Sequence, residues 1–81
     1  MRIPRDINGK DLINLLATYG YGVTRQTGSH MRLTSTIRGK EHHVTIPYHN
    51  PLRIGTLNSI LSDVADYLDI SKDEIIRQLF S

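Results

Sequence analysis

The sequence predicts an α+β fold, in which a three-stranded antiparallel sheet carries helices on one face and leaves its other face polar. Apolar residues recur at helical spacing near both ends of the 81-residue chain, whereas the middle is rich in β-forming residues divided by turn residues. Each helix and the sheet has one apolar face, and the two layers bury these faces against each other. The predicted order is α-β-β-β-α, a two-layer sandwich, followed by a short C-terminal helix.

The first helix is predicted over residues 9–19. Asn8 can serve as its N-cap, and Asp11 stands three residues later, where the acid of a capping box stands. Gly20 follows the helix at the position where a left-handed residue often ends one. The apolar residues that recur at i, i+3, i+4 and i+7 are Leu12, Leu15, Leu16 and Tyr19.

Three strands are predicted over residues 21–27, 31–37 and 43–46, and Pro47 ends the third because it lacks a backbone N–H donor. Residues 38–41 form the second turn. The apolar face of the second strand holds Met31, Leu33, Ser35 and Ile37. The opposite, polar face of the sheet is expected to expose His30, Arg32, Thr34, His43 and Thr45.

Two helices are predicted after a loop at residues 49–53. The second helix begins from Gly55, with Thr56 as its cap. Its core-facing residues are Leu57, Ile60, Leu61, Val64 and Leu68. The last helix starts at the capping box that Ser71 and Glu74 form. Its apolar residues are Ile75, Ile76, Leu79 and Phe80.

Composition narrows the class of protein. A hydrophobic content of 38% and a charged content of 22% are typical of a single globular domain, predicted here over residues 1–81. The chain has no cysteine, which excludes disulfides and thiolate zinc sites. It has no apolar run of membrane-spanning length and no apolar signal-peptide core near its N-terminus, which favours a cytoplasmic location. His, Asp and Glu residues show no metal-ligand spacing, so we expect no metal or other cofactor.

Charge is unevenly distributed along the chain. Residues 1–55 hold eight Lys/Arg and three Asp/Glu, a net charge of +5, whereas residues 56–81 hold two Lys/Arg and five Asp/Glu, a net charge of −3. A basic region of this kind suits contact of one face with a polyanion. A solvated surface with chance clustering is the alternative.

The tripeptide Gly28-Ser29-His30 has two interpretations. As structure, it is a hairpin turn followed by an exposed strand residue, because Gly adopts positive φ without strain. As chemistry, it places a titratable imidazole on a polar face. The string from Gly28 to Met31 also matches the remnant of a cleaved affinity tag, but Met31 is in phase with Leu33, so the segment belongs to the fold.

From Asn8 to about Phe80 the chain resembles the HicA family of toxins, the ribonucleases of toxin–antitoxin pairs. The matching segments are Gly9-Lys10-Asp11-Leu12, Leu16 through Tyr19-Gly20-Tyr21, Arg25-Gln26-x-Gly28-Ser29-His30, Val44-x-Ile46-Pro47-x-His49, Gly55-Thr56-Leu57-x-x-Ile60-Leu61 and Ile70-Ser71-x-x-Glu74. The family usually has Phe where this chain has Tyr21, and the segment from Thr34 to His43 varies in length. The resemblance implies a fold like that of a double-stranded-RNA-binding domain (dsRBD-like).

The resemblance also implies an activity and a partner. It makes the chain an endoribonuclease (mRNA interferase) that cleaves mRNA and is suppressed by a HicB-type antitoxin, with His30 as its catalytic residue. Histidine suits acid–base catalysis near neutral pH, and attack by the RNA 2′-OH needs no metal. Backbone N–H groups of Gly28 and Ser29 can stabilise developing charge, and Arg32 shares the strand face of His30 and can bind phosphate.

Several residues have alternative interpretations. Arg25 and Lys40 are expected to contact phosphates, although they can equally be solvated charges. His43 and His49 are either candidates for the second acid or base, or surface and loop histidines, whereas His42 is expected at the edge of the core. For the whole chain, the alternatives to an enzyme are a non-catalytic RNA-binding module and a protein-interaction domain of the same fold.

Overall fold

A computed structural model describes residues 3–80 and has the predicted order of elements. Its three strands form one sheet in chain order with both neighbouring pairs antiparallel, which confirms the α+β fold class. Met1, Arg2 and Ser81, which the predicted domain includes, lie outside the described residues. In chain order the elements are α1 (Gly9–Leu16), a 3₁₀-helix (Ala17–Tyr19), β1 (Gly22–Thr27), β2 (His30–Ser35), β3 (His42–Pro47), α2 (Ile54–Leu68) and α3 (Lys72–Phe80).

A reciprocal capping box begins α1. The Asn8 Oδ1 atom accepts a hydrogen bond from the Asp11 N–H at 2.8 Å, and the Asn8 N–H donates to Asp11 Oδ2 at 3.4 Å. The helical segment predicted over residues 9–19 is confirmed, with its last turn tightened into the 3₁₀-helix. Gly20 closes it with a φ of 82°, as expected of a left-handed terminal residue.

The core lies between α1 and α2 and the inner face of the sheet. Strands β2 and β3 present their buried residues on that face, and the intervening residues are exposed or half-buried on the outer face. The helices therefore cover one face of the sheet, as predicted. The fully buried large side chains include Leu12, Leu16, Leu33, Ile46, Leu57, Leu61, Val64 and Ile75.

Strand β2 ends earlier than predicted. Ile37 was expected on the apolar face of the strand, but it lies in the following turn and its side chain is 57% exposed. The reason is the buried hydroxyl of Ser35, which donates to the Tyr19 carbonyl at 2.8 Å and accepts the Ile37 N–H at 3.3 Å. The Gly39 N–H then donates to the Thr36 carbonyl at 2.9 Å and completes the turn.

The prediction that Thr56 caps α2 is wrong. The helix begins at Ile54, so Thr56 lies inside its first turn. Arg53 is the N-cap and offers no side-chain hydrogen bond, but its extended backbone places its carbonyl to accept the Leu57 N–H at 3.0 Å. The cap of α3 is as predicted, because the Ser71 hydroxyl accepts the Glu74 N–H at 3.1 Å.

An aromatic cluster joins the sheet to α2. The Tyr21 hydroxyl lies 2.6 Å from His42 Nδ1, and the His42 ring stacks on Tyr67 with ring centroids 4.7 Å apart. Burial raises the pKa of Tyr21, as do the nearby Tyr67 and Asp63. His42 therefore packs at the edge of the core, as predicted. None of the helices within residues 3–80 combines the length and the apolar character that crossing a bilayer requires.

Candidate nucleic-acid interface

His30 is the first residue of β2 and is exposed. It follows the hairpin turn at Gly28 and Ser29, in which Gly28 has a φ of 58° and occupies the first central position, as in a type II′ turn. The turn is held from two sides. The Tyr48 N–H donates to the Ser29 carbonyl at 2.6 Å, and Gln26 Nε2 donates to the Gly28 carbonyl at 3.3 Å. The turn before His30 is therefore held by a side chain of β1 and by the backbone just after β3.

A shallow depression of about 330 Å³ surrounds His30 on the outer face of the sheet. Pairing places Arg25 opposite Arg32, and Arg32 opposite Thr45, so these three residues form one row across the sheet. The side chains that line the depression are Arg25, Thr27, His30, Arg32 and Thr45. The structure thus brings both predicted arginines to His30.

A β-bulge at Thr24 shifts the register of the hairpin. Counted from the turn, regular pairing would place Thr24 opposite Leu33 and turn Val23 to the polar face. The bulge instead pairs Val23 with Leu33 on the inner face and makes Thr24 the extra residue. The Thr24 hydroxyl then lies on the outer face, 2.8 Å from the hydroxyl of Thr34.

The paired arginines carry unneutralised charge. Like charges directly opposite each other destabilise a sheet, so folding does not favour the pairing of Arg25 with Arg32. Binding of an anionic ligand explains this pair better. Strands β1, β2 and β3 contain no Asp or Glu, and within residues 3–80 neither guanidinium forms an ion pair with a carboxylate. Two such guanidinium groups beside an imidazole form an arrangement suited to binding a phosphodiester.

The turn before His30 adds two backbone donors. Within the described part of the chain, neither the Gly28 N–H nor the Ser29 N–H donates a hydrogen bond to a protein acceptor. Both residues are exposed, so these N–H groups are accessible to a ligand. Turn N–H groups of this kind are common binding sites for anions.

Lys40 lies apart from this site. It belongs to the turn between β2 and β3. This turn follows the last residue of β2, whereas His30 is the first, about 16 Å away along the strand. It lines a different depression together with four carboxylates, those of Glu41, Asp63, Asp66 and Asp69. The structure therefore does not bring Lys40 to the residues with which the sequence grouped it.

The other two candidate histidines also lie outside the depression. His43 pairs with Thr34, four residues along β2 from His30, which separates the two histidines by about 13 Å along the strand. This distance prevents them from acting on the same phosphate. His49 follows β3, and its backbone carbonyl accepts the Gly9 N–H at 2.9 Å.

Sequence reasoning missed two lining residues. Thr27 was given no role, although a two-residue turn necessarily places it opposite His30. Thr45 was placed on the polar face but not grouped with Arg32, because its pairing partner follows only from the register of β3. Within residues 3–80, the His, Asp and Glu side chains form no group of three or more that could hold a metal ion.

Comparison with known protein families identifies one match. The model of the family described as HicA toxin of bacterial toxin–antitoxin systems matches residues 9–65, that is, 57 of the 81 residues. The match covers α1, the whole sheet and most of α2, and it includes every residue that lines the depression around His30. No curated protein and no solved structure matches the chain. Because the family match extends over more than half of its length and contains the complete candidate site, the chain belongs to the HicA toxin family.

Proposed function

We propose that this chain is a metal-independent endoribonuclease that cleaves mRNA on the outer face of its sheet, with His30 as general acid/base. The observation that carries the proposal is the position of His30, between a turn with two available N–H donors and a row of two unneutralised arginines. Membership of the HicA toxin family supports a toxin function, and a ribonuclease is the activity that this site suits best.

The reaction uses the RNA as its own nucleophile. A base removes the proton from a 2′-hydroxyl group, whose oxygen attacks the adjacent phosphorus atom. The bond from phosphorus to the 5′-oxygen breaks, and that oxygen takes up a proton. The products are a 2′,3′-cyclic phosphate and a free 5′-hydroxyl group, so protons balance without a metal or redox partner. His30 is exposed at the depression and can perform either proton transfer.

Negative charge increases on the phosphate during attack, and the site supplies donors for it. The N–H groups of Gly28 and Ser29 are adjacent to His30 in the chain and have no protein acceptor in the described residues. Arg32 lies two residues along β2, about 6.6 Å from His30, on the same face. Arg25, opposite Arg32, can bind the neighbouring phosphate with it.

The test is cleavage of end-labelled RNA in excess EDTA by the native chain and by His30→Ala. We expect the variant to cut about 10²- to 10⁴-fold more slowly and to retain most of its RNA affinity, because acid–base catalysis contributes on that order. Arg5→Gln is the control, since Arg5 lines a depression formed with α2 and α3, away from the sheet face. Circular dichroism and thermal unfolding check that both variants fold.

Other outcomes favour the alternative functions. RNA binding by both proteins without products would indicate a non-catalytic RNA-binding module. Little RNA affinity at physiological salt would indicate a protein-interaction domain. Cleavage that stops in EDTA and returns with added metal would contradict the metal-independent reaction.

We further propose that a HicB-type antitoxin is the protein partner and that it covers the same sheet face. The unneutralised Arg25 and Arg32 suit acidic side chains as well as phosphates. In the same assay, the antitoxin should suppress RNA binding and cleavage together. A stable complex that contains toxin, antitoxin and RNA at unchanged RNA affinity would contradict a shared surface.

A further inference from the structure

A hydrogen-bonded chain of side chains crosses the outer face of the sheet beyond the arginine row. The hydroxyl groups of Thr24 and Thr34 lie 2.8 Å apart, and the Thr34 hydroxyl lies 2.7 Å from His43 Nδ1. The Thr24 hydroxyl also donates to the Arg32 carbonyl at 3.3 Å. The chain therefore links all three strands and ends at an exposed imidazole.

The Arg32 carbonyl, at one end of this series of hydrogen bonds, fixes which group donates and which accepts at each step. A carbonyl oxygen only accepts hydrogen bonds, so the Thr24 hydroxyl donates to Arg32 and accepts from Thr34. The Thr34 hydroxyl then accepts from His43, which places a proton on the Nδ1 atom. In its neutral form His43 consequently presents Nε2 as a hydrogen-bond acceptor, and the ring orientation is held by two threonines.

The outer face presents three rows of functional side chains in order. His30 lies in the first row, the paired Arg25 and Arg32 in the second, and Thr34 with His43 in the third. Successive rows are about 6.6 Å apart, because side chains on one face of a strand repeat every two residues. This spacing is comparable with that of successive phosphates in an extended single strand of RNA. A strand with its scissile phosphate at His30 and the next phosphate at the arginines therefore passes His43.

We propose that His43 forms a ribose subsite, in which Nε2 accepts a hydrogen bond from the 2′-OH of a nucleotide two positions from the cleaved bond. This inference rests on the proposed RNA-cleaving function and extends it to the recognition of a single-stranded RNA segment. The 2′-OH is the group that distinguishes RNA from DNA at a given position. Thr24 and Thr34 are positioning residues for this subsite, since they act only through the imidazole.

A scan of 2′-deoxy substitutions tests the subsite. Oligonucleotides that each carry one deoxynucleotide are compared as substrates of the native chain and of His43→Phe, which keeps an aromatic ring but removes the acceptor. For the native chain, a deoxynucleotide at one position other than the attacking nucleotide should raise KM by roughly two- to tenfold and leave kcat unchanged. This is the effect expected for the loss of one hydrogen bond. In His43→Phe the all-ribose substrate should show the same loss, and that deoxynucleotide should have no further effect.

A second variant separates the positioning of His43 from its presence. Thr34→Val keeps the imidazole but interrupts the hydrogen bonds that orient it. We therefore expect this variant to lose part of the discrimination against the deoxynucleotide. Thr36→Val, an exposed residue just beyond β2, is the matched control and should retain it.

The subsite and the proposed reaction fail in different ways. Deoxy effects that are identical in the native chain and in His43→Phe would overturn the subsite even if cleavage is observed. If the chain binds RNA without cutting it, the proposed reaction fails, but the same scan of dissociation constants still decides whether His43 reads a ribose.

Discussion

At the scale of single residues, Gly9 shows how a distant contact supports the candidate site. A Cβ atom on Gly9 would lie 2.3 Å from the Pro47 carbonyl oxygen and 2.9 Å from Tyr48 Cα. The first residue of α1 thus packs directly on the backbone at the end of β3 and just after it. The same backbone holds the turn before His30, because the Tyr48 N–H donates to the Ser29 carbonyl.

We predict that Gly9→Ala lowers the free energy of unfolding by about 1–3 kcal/mol, as overpacking does in a site that cannot expand. Urea titration of the native chain and the variant measures the difference. Gly55→Ala is the matched control in α2, where no atom lies within 4 Å of the added Cβ. It should stabilise the protein by about 0.5–1 kcal/mol through helix propensity. Equal effects of the two substitutions would contradict the close approach at Gly9.

At the scale of elements, the sequence was informative where structure depends on neighbours in the chain. The caps at Asn8 and Ser71 were predicted because each uses a residue three positions away. The end of β2 was not, since it depends on the hydroxyl of Ser35 reaching the carbonyl of Tyr19 in another element. The bulge at Thr24 was also missed. It is a shift in the register of β1 against β2, so it exists only once the two strands pair.

Tyr67 holds the turn between β2 and β3 from α2. Its hydroxyl accepts the Arg38 N–H at 3.0 Å and donates to the Lys40 carbonyl at 2.5 Å. We predict that Tyr67→Phe lowers the free energy of unfolding by about 0.5–1.5 kcal/mol and accelerates hydrogen exchange at the Arg38 amide. Chemical denaturation and hydrogen-exchange NMR measure the two effects.

Tyr48→Phe is the control for the Tyr67 hydroxyl, because the Tyr48 side chain is exposed and its own hydroxyl forms no hydrogen bond within the described residues. It should leave both quantities unchanged. Unchanged exchange at Arg38 in Tyr67→Phe would show that the turn holds itself without α2.

At the scale of the whole molecule, charge is separated between the two layers. Helices α2 and α3 together carry four acidic and two basic residues, a net charge of −2, whereas the strands carry Arg25 and Arg32 and no acidic residue. The asymmetry along the sequence therefore becomes an asymmetry between faces. It orients a polyanion toward the sheet rather than toward the helices. The distribution of charged residues along the sequence predicted an uneven charge. Only the register of β1 against β2 shows that two of the positive charges lie together beside His30.

This separation predicts how RNA affinity depends on salt. If Arg25 and Arg32 each neutralise one phosphate of a single strand, the logarithm of the binding constant should fall with the logarithm of salt concentration with a slope of about −1.4. Arg25→Gln should make that slope shallower by about 0.7. Fluorescence anisotropy of labelled RNA, measured with His30→Ala as the common background to prevent cleavage, gives the slopes.

Two further arginine and lysine variants locate the RNA path. Arg5→Gln, on the helix side, should leave the slope unchanged, and an equal effect at Arg5 and Arg25 would indicate diffuse attraction to the whole protein. Lys40 lies beyond the row of His43, at the far end of the sheet. Lys40→Gln should therefore alter the slope only for oligonucleotides long enough to pass that row. An effect of Lys40→Gln on the shortest cleavable RNA would place the strand on a different path, because such an RNA cannot reach both His30 and the far turn.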